Sequence, residues 1–297
     1  MKPFTKIGWI GTGVMGKSMC KHLLNAGYQL SVFNRTISKA DELVKMGAKV
    51  ETPQEIAKSS DAVFLMLGFP HDVEDMVLGK NGILKHMQKG SYLIDHTTSS
   101  PNLAQEIFKK AEELKINSFD APVSGGDVGA RNGKLIVMVG GEEKHLDPAK
   151  KVMESYSAKI ELFGKAGNGQ HTKMVNQTII ASTIIAVCEG LIYGHKAGLD
   201  LNKVIELLSG GAAGSFSLSV YGPRILKRDF EPGFYIEHFF KDLEISLKEC
   251  EKMNIDLKGL KLAHTLYKKM IEEGYSRKGI QALYGTLEKI NGIENKM

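Results

Sequence analysis

Short apolar runs alternate with longer segments of mixed polarity in the first half of the chain. Six such runs predict buried strands, at residues 6–10, 29–33, 62–67, 92–95, 117–120 and 135–139. Between them, segments such as 14–26 and 101–114 predict helices, and the first of these stops at Gly27, a residue type that often follows a helix. Strands that alternate with helices in this way predict βα units around a mostly parallel sheet.

The pattern changes after about residue 164, beyond which no strand-like run recurs. The remaining segments predict helices, at residues 169–197, 202–208, 217–226, 238–253, 259–273 and 279–290. We therefore predict two domains, an α/β domain at 1–164 and an all-α domain at 165–297, joined by the long helix that begins near residue 169.

A glycine cluster follows the first predicted strand and opens the first predicted helix. It has the GxGxxG spacing, and its residues are Gly11, Thr12, Gly13, Val14, Met15 and Gly16. In that spacing the first glycine permits a tight turn, the second lets the backbone approach a pyrophosphate, and the third lets helix and strand pack closely. The exposed N–H groups of the helix then face the phosphates. The cluster predicts a Rossmann-type domain that binds a dinucleotide.

The end of the second predicted strand indicates which nicotinamide cofactor binds. NAD enzymes usually place a carboxylate there to hold the ribose hydroxyls, but this chain has Asn34, Arg35 and Thr36. A guanidinium can make a charge-assisted contact with a 2′-phosphate, and the two neighbours can add neutral hydrogen bonds. We therefore expect NADP to be preferred, with NAD possible.

A second glycine-containing loop follows the strand predicted at 117–120. Its hydroxyl and its backbone N–H groups, from Ser124, Gly125 and Gly126, can hold a carboxylate. The loop lies at the carboxyl end of a sheet strand, where folds of this type bind ligands. An ordinary glycine turn is the alternative at this point.

Composition and charge narrow the class of protein. Apolar residues make up 42% and charged residues 25% of the 297 residues, as in a soluble globular protein, and the net charge is +5. The three cysteines and nine histidines show no metal-ligand spacing, so we expect no metal. No nucleic-acid motif, membrane span or signal peptide is recognised, and we expect a cytoplasmic protein.

Four motifs, in order along essentially the whole chain, resemble the β-hydroxyacid dehydrogenase family. They are IGWIGTGVMG at 7–16, DAPVSGG at 120–126, GNGQHTKMVNQ at 167–177 and FFKDLEISL at 239–247. Members of that family include 3-hydroxyisobutyrate dehydrogenase, tartronate semialdehyde reductase and the glyoxylate/succinic semialdehyde reductases. The resemblance implies a dehydrogenase that interconverts a small 3-hydroxy acid and its semialdehyde, and commonly forms a homodimer or homotetramer.

The same resemblance assigns roles to individual residues. Lys173 matches the lysine that acts as general acid and base, and the loop at 124–126 matches the one that holds the substrate carboxylate. Thr98 matches a threonine beside the nicotinamide, and Lys241 matches a lysine that reaches the cofactor from the helical domain. Further cofactor contacts are implied at the end of the fourth strand, where the family often has Leu-Pro and this chain has Leu67 and Gly68.

The predicted helix places Lys173, Asn176 and Gln177 at i, i+3 and i+4, on one face. A lysine whose pKa falls from about 10.4 toward neutrality can take up and release the hydroxyl proton of the substrate. Either amide can hold the reacting oxygen. Many members have Asn where Gln177 stands, so the geometry of this donor departs from the family pattern.

Three other functions compete with the small hydroxy-acid dehydrogenase. A glyoxylate/succinic semialdehyde reductase belongs to the same family and differs only in substrate. Imine reductases share the fold but typically lack the lysine at position 173, which this chain has. A non-catalytic NADP-binding scaffold would be favoured by loss of that lysine or by an additional domain.

Overall fold

The computed structural model describes residues 4–293 of the chain. The chain divides into two compact units, Met1–Lys173 and Met174–Met297, called unit 1 and unit 2 below. This division falls inside a long helix, whereas the sequence places the domain boundary before that helix. The boundary after residue 164 stays a prediction.

Unit 1 alternates strands with helices, as the apolar runs indicate. Its strands are β1 Lys6–Ile10, β2 Gln29–Phe33, β3 Lys49–Val50, β4 Ala62–Leu65, β5 Tyr92–Asp95, β6 Asn117–Asp120, β7 Val123–Ser124, β8 Leu135–Val139 and β9 Ser157–Leu162. Its helices are α1 Val14–Asn25, α2 Asp41–Lys45, α3 Pro53–Ser59, α4 Pro70–Leu78, α5 Pro101–Glu113, α6 Gly126–Arg131 and α7 Leu146–Met153.

The first six strands form one parallel sheet in the order β3-β2-β1-β4-β5-β6. This is the strand order of the Rossmann fold, so the predicted fold class is confirmed for unit 1. Because all six strands run in the same direction, their carboxyl ends lie at a single edge of the sheet. The loops that leave this edge carry the glycine cluster after β1 and the residues that follow β2, β4 and β5.

Both faces of this sheet are covered by apolar side chains. Along β4, Phe64 packs into one hydrophobic cluster, and Val63 and Leu65 pack into another. The same alternation separates Trp9 from Ile10 on β1. Successive side chains of a strand point to opposite faces, and a parallel sheet that is covered on both faces needs apolar residues on each of them. The continuous apolar runs in the sequence reflect this double burial.

A second sheet of three strands, in the order β7-β8-β9, lies beyond β6. Its middle strand β8 pairs antiparallel with β7 and parallel with β9. The sequence predicts β8 but neither of its partners. β7 has only two residues, and β9 has the polar sequence SAKIEL without a buried residue, so neither gives an apolar run.

Unit 2 is helical, which confirms the predicted all-α region. Helix α8 (Asn168–Lys196) begins in unit 1 and continues into unit 2. The other helices of unit 2 are α9 Leu201–Ser209, α10 Gly222–Leu226, α11 Ile236–Met253, α12 Lys258–Glu272 and α13 Leu283–Ile290. A π-helical turn at Ser217–Tyr221 precedes α10, and a 3-10 turn at Ile280–Ala282 precedes α13, where the sequence predicts continuous helices.

The helices of unit 2 enclose their own hydrophobic core. Phe239 of α11 and Tyr267 of α12 lie at its centre, with their ring centroids 5.0 Å apart, and Cys188 of α8 is completely buried in the same cluster. By length and composition α8 is the one described helix that would also suit a membrane span. Core helices pass the same test, so this is weak support for a span.

A fully buried histidine lies against the main sheet of unit 1. Nδ1 of His96 is 2.6 Å from the carbonyl oxygen of Ala121, and Nε2 is 2.8 Å from the hydroxyl of Tyr156. Because a carbonyl can only accept, Nδ1 carries the proton and Nε2 accepts from the tyrosine. Trp9 and Phe64 cover the imidazole ring, and burial lowers the pKa of His96 to about 4.

The stability of unit 1 should fall in mild acid because of His96. Its folded pKa of about 4 lies below the ordinary value of 6.5, so between these two values the unfolded chain takes up a proton that the folded chain does not. The free energy of unfolding then falls as the pH falls through this window, by up to about 1.4 kcal/mol per pH unit from this group. Urea unfolding followed by circular dichroism between about pH 7 and pH 5 measures the slope.

The variant His96→Gln keeps a donor and an acceptor but cannot titrate, so it should show a shallower slope than the wild-type chain. His195→Gln, at an exposed histidine of α8, is the matched control and should keep the wild-type slope. Equal slopes for the two variants would contradict the assignment.

Candidate functional site

The glycine cluster forms a tight loop between β1 and α1. Gly11 has φ of +102°, and a Cβ atom there would lie 2.2 Å from the carbonyl oxygen of Met66. At Gly16 a Cβ atom would lie 2.0 Å from the carbonyl oxygen of Gly11. The first and third glycines are therefore required by the turn and by the packing of α1 on the loop, as the motif predicts.

The second glycine of the motif faces open space. A Cβ atom at Gly13 would meet no atom within 4 Å, and Gly13 precedes α1 without a side-chain cap on the helix N–H groups. The hydroxyl of Thr12 is buried and has no hydrogen-bond partner in the part of the chain that the structure describes. Uncapped N–H groups and an unpaired hydroxyl beside open space fit the pyrophosphate of a dinucleotide.

The residues after β2 shape this loop from the neighbouring strand. The amide oxygen of Asn34 accepts a hydrogen bond of 3.0 Å from the backbone N–H of Thr12, and its amino group donates to the carbonyl of Thr36. The guanidinium of Arg35 is 81% exposed and lies 3.1 Å from the carboxylate of Asp72 at the start of α4. Both polar groups of the Asn34 amide are thus hydrogen-bonded to the backbone, whereas Arg35 presents an exposed positive charge after β2.

The segments that follow β4 and β5 are joined by a side-chain hydrogen bond. The backbone N–H of Leu67 donates to the hydroxyl of Thr97, 2.9 Å away, and the N–H of Thr97 donates to the carboxylate of Asp95. Leu67, Gly68 and Thr98 are all partly exposed. The structure therefore places these predicted cofactor residues at the same carboxyl edge of the sheet as the glycine cluster.

Lys173 contacts the loop that the sequence assigns to the substrate. Its amino group donates a hydrogen bond of 2.9 Å to the carbonyl oxygen of Val123, and the side chain is 6% exposed. Val123 immediately precedes Ser124, and the following Gly125 and Gly126 have φ of +126° and +62°. Both glycines adopt backbone conformations that other residues rarely take. Unit 1 therefore brings the predicted catalytic lysine next to the predicted carboxylate loop.

In unit 2, α8 and α11 are joined by a chain of polar contacts. The amino group of Asn176 donates to the amide oxygen of Gln177 over 2.7 Å, and the amino group of Gln177 donates to the carboxylate of Asp242, also over 2.7 Å. The other carboxylate oxygen of Asp242 lies 2.9 Å from the amino group of Lys241. These contacts bring three of the predicted site residues together within unit 2.

The sequence reasoning missed three polar residues that organise these contacts. They are Asp120, Gln170 and Asp242, and each is at most 4% exposed. Asp120 opens the DAPVSGG motif and Asp242 lies inside FFKDLEISL, so their positions within motifs were an available signal. Gln170 lies inside GNGQHTKMVNQ and gives the same signal, although a glutamine near the start of a helix is by itself ordinary in sequence.

Family sequence models match both halves of the chain. Residues 6–164 match the NAD binding domain of 6-phosphogluconate dehydrogenase, and residues 167–287 match the NAD-binding domain of NADP-dependent 3-hydroxyisobutyrate dehydrogenase. The two matches together span nearly all of the residues that the structure describes.

Relatives of similar length share much of the sequence. A probable mitochondrial 3-hydroxyisobutyrate dehydrogenase-like 1 protein of Arabidopsis thaliana is 52% identical, over 97% of this chain and 87% of the relative. The 2-hydroxy-3-oxopropionate reductase of Escherichia coli K12 is 39% identical, over 95% of this chain and 97% of the relative.

A solved structure agrees with these relatives. The 3-hydroxyisobutyrate dehydrogenase of Mycobacterium tuberculosis, solved with L-serine, superposes with a TM-score of 0.85 at 27% identity and covers 95% of this chain and 99% of its own. The chain therefore belongs to the β-hydroxyacid dehydrogenase family, and it is an NAD(P)-binding oxidoreductase that acts on CH–OH groups.

Proposed function

We propose that the chain interconverts a small 3-hydroxy acid, such as 3-hydroxyisobutyrate, and its semialdehyde, with NADP(H) preferred and Lys173 as general acid and base. The observation that carries this proposal is the hydrogen bond from the amino group of Lys173 to the carbonyl of Val123. It holds the amino group beside Ser124, so a proton donor lies next to a loop that can hold a carboxylate.

The proton steps follow from this placement. When bound, the reduced nicotinamide supplies the hydride that adds to the aldehyde carbon. The aldehyde oxygen then needs a proton, which Lys173 donates in its charged form, and in the reverse direction the neutral amine accepts the proton of the hydroxyl. Because the side chain of Lys173 is almost fully buried, few water molecules compete for this proton.

The substrate carboxylate would be held by Ser124 with the backbone of Gly125 and Gly126. A hydroxyl and backbone N–H groups bind a carboxylate through charge-assisted hydrogen bonds. We assign the reacting oxygen to Asn176 and Gln177, and a cofactor contact to Lys241. The ion pair of Lys241 with Asp242, the hydrogen bond of Gln177 to the same carboxylate and that of Asn176 to Gln177 support these assignments. Together these contacts hold all three side chains in defined positions.

The preference for NADP(H) rests on the end of β2. No carboxylate is present at residues 34–36, and the guanidinium of Arg35 is largely exposed. A 2′-phosphate can bind this cation, whereas the ribose hydroxyls of NAD lose the carboxylate that usually holds them. The pyrophosphate would bind at the start of α1, beside Gly13 and Thr12.

The substrate itself is tested with a panel of aldehydes. The panel contains glyoxylate and the semialdehydes of succinate, malonate, methylmalonate and tartronate, and oxidation of NADPH or NADH is followed by absorbance. We expect rapid NADPH oxidation with at least one aldehyde that carries a carboxylate. The fastest substrate separates the 3-hydroxy-acid activity from the glyoxylate/succinic semialdehyde reductase and from the reductase of 2-hydroxy-3-oxopropionate found among the relatives. No turnover with any of them, despite tight NADPH binding, would contradict the proposal.

Replacement of Lys173 by methionine should abolish most of the turnover. The variant keeps a long side chain but loses the proton donor, so we expect kcat to fall about 10²–10⁴-fold while NADPH still binds. Steady-state kinetics and titration of NADPH fluorescence measure the two quantities. Lys165→Met, at an exposed lysine just before α8, is the matched control. An unchanged kcat for Lys173→Met would remove this residue from the mechanism.

Replacement of Arg35 by aspartate should shift the cofactor preference toward NADH. The change removes the cation for the 2′-phosphate and provides a carboxylate for the ribose hydroxyls. The ratio of kcat/KM for NADPH to that for NADH should fall by at least about tenfold, which corresponds to about 1.4 kcal/mol. Lys110→Asp on α5 makes the same charge change at another exposed position of unit 1 and should leave the ratio unaltered. Full NADPH preference in Arg35→Asp would overturn the 2′-phosphate assignment.

A further inference from the structure

The first turn of α8 is fixed to the end of β6 by a buried carboxyl group. One oxygen of Asp120 accepts a hydrogen bond of 2.8 Å from the N–H of Gly167, and the other accepts a hydrogen bond of 2.8 Å from the N–H of Gln170. The first N–H groups of a helix have no partner within the helix, so this carboxyl group satisfies them from another element. Burial raises the pKa of Asp120, and the N–H donors oppose that shift.

This attachment requires glycine at two neighbouring positions. A Cβ atom at Gly169 would lie 2.5 Å from the carbonyl oxygen of Met138 and 2.8 Å from the carboxylate of Asp120. At Gly140, a Cβ atom would lie 2.6 Å from the same carboxylate. The backbone at the start of α8 therefore lies directly against β6 and the end of β8, and its position is tightly defined.

Gln170 connects this turn to the loop after β5. Its amide oxygen accepts a hydrogen bond of 2.9 Å from the N–H of Ser99, and its amino group donates 2.8 Å to the carbonyl of Thr97. The side chain is completely buried. A primary amide supplies one acceptor and one donor group at the end of a single side chain, which these two opposite backbone groups require. The two bonds hold the backbone on either side of Thr98.

Lys173 lies three residues after Gln170 on the same helix, so the two side chains leave neighbouring turns of one face. The backbone of Gln170 is bonded to Asp120, and the amino group of Lys173 is bonded to Val123, three residues further along the chain. The first two turns of α8 thus contact both the loop at 97–99 and the loop that begins at Val123.

We propose that Gln170 is a positioning residue for the oxidoreductase reaction: its amide holds the loop at 97–99, with Thr98, in register with Lys173. This inference rests on the proposed function, because it takes Lys173 as the proton donor and Thr98 as a neighbour of the nicotinamide. Loss of the amide would let the loop move relative to the lysine while both remained present. Displacement of reacting groups by about 1 Å can cost about 10²-fold in rate.

The test compares Gln170→Met with Gln170→Glu and with the control Asn168→Ala. Methionine keeps the length of the side chain but can replace neither hydrogen bond, whereas glutamate keeps the acceptor for Ser99 and loses the donor to Thr97. Asn168 lies in the same turn of α8 and donates a hydrogen bond to the carbonyl of Phe163, and among the described residues its side chain makes no hydrogen bond to the loop at 97–99. It therefore controls for a general loosening of the helix start.

Two readouts separate positioning from a general loss of stability. The first is hydrogen–deuterium exchange at the backbone N–H of Ser99 in the cofactor-free protein. Exchange should be faster in Gln170→Met, close to wild type in Gln170→Glu and unchanged in Asn168→Ala. The second is steady-state kinetics with the fastest aldehyde, well below the melting temperature. In Gln170→Met, kcat should fall about 10–100-fold with little change in KM, and the isotope effect with deuterated NADPH should rise.

Normal kcat in Gln170→Met would overturn the inference, whether or not the exchange at Ser99 changes. If Gln170→Met does not fold, Gln170→Glu decides, because it should still protect Ser99 and yet lower kcat through the lost bond to Thr97. Protection of Ser99 with a wild-type kcat in that variant would equally overturn the inference. A wild-type chain that reduces no aldehyde would instead contradict the proposed function, so the two failures are distinguishable.

Discussion

The position of Lys173 depends on one buried contact, the carboxyl group of Asp120 against the first N–H groups of α8. A helix start without partners for those groups would be costly inside a protein, because each buried and unpaired N–H loses its hydrogen bond to water. The carboxyl group removes that cost, and in its ionised form its charge is complementary to the positive end of the helix. Because this contact fixes the start of α8 against β6, the side chains in the first turns of α8 have a fixed orientation with respect to the sheet.

That contact explains why two of the sequence motifs occur together. DAPVSGG supplies Asp120, Val123 and Ser124, and GNGQHTKMVNQ supplies the helix start and Lys173. Gly169 lets the helix approach β6 closely enough for the carboxyl group to reach its backbone, since a Cβ atom there would lie 2.6 Å from the carbonyl oxygen of Asp120. The two motifs therefore form one structural unit. Asp120, at the end of β6, holds the start of α8, and Lys173 of α8 donates a hydrogen bond to Val123 in the segment after β6.

The sequence predicts the elements and motifs whose physical cause is local. Strands buried on both faces leave continuous apolar runs, and the glycine loop leaves its spacing, so β1, β4 and the GxGxxG turn are predicted without any tertiary knowledge. Strand β9 leaves no such trace, since its stability comes from pairing with β8 while its side chains stay largely exposed. Helix α4 is not among the elements predicted from the sequence, although its proline at the first position and Asp72 at the third are recognisable start signals.

Contacts between residues distant in sequence cannot be predicted in this way, because nothing in the local sequence specifies the partner. The hydrogen bonds of Gln170 to residues 97 and 99 and the ion pair of Arg35 with Asp72 belong to this class. So do the contacts of Gln177, which the sequence presents only as a departure from the asparagine usual in the family. Its amide is completely buried between Asn176 and Asp242, whereas Asn176 is partly exposed. The side chain of Gln177 reaches Asp242 and so joins two helices of unit 2, α8 and α11. Of Asn176 and Gln177, Asn176 is therefore the one more accessible to a small molecule.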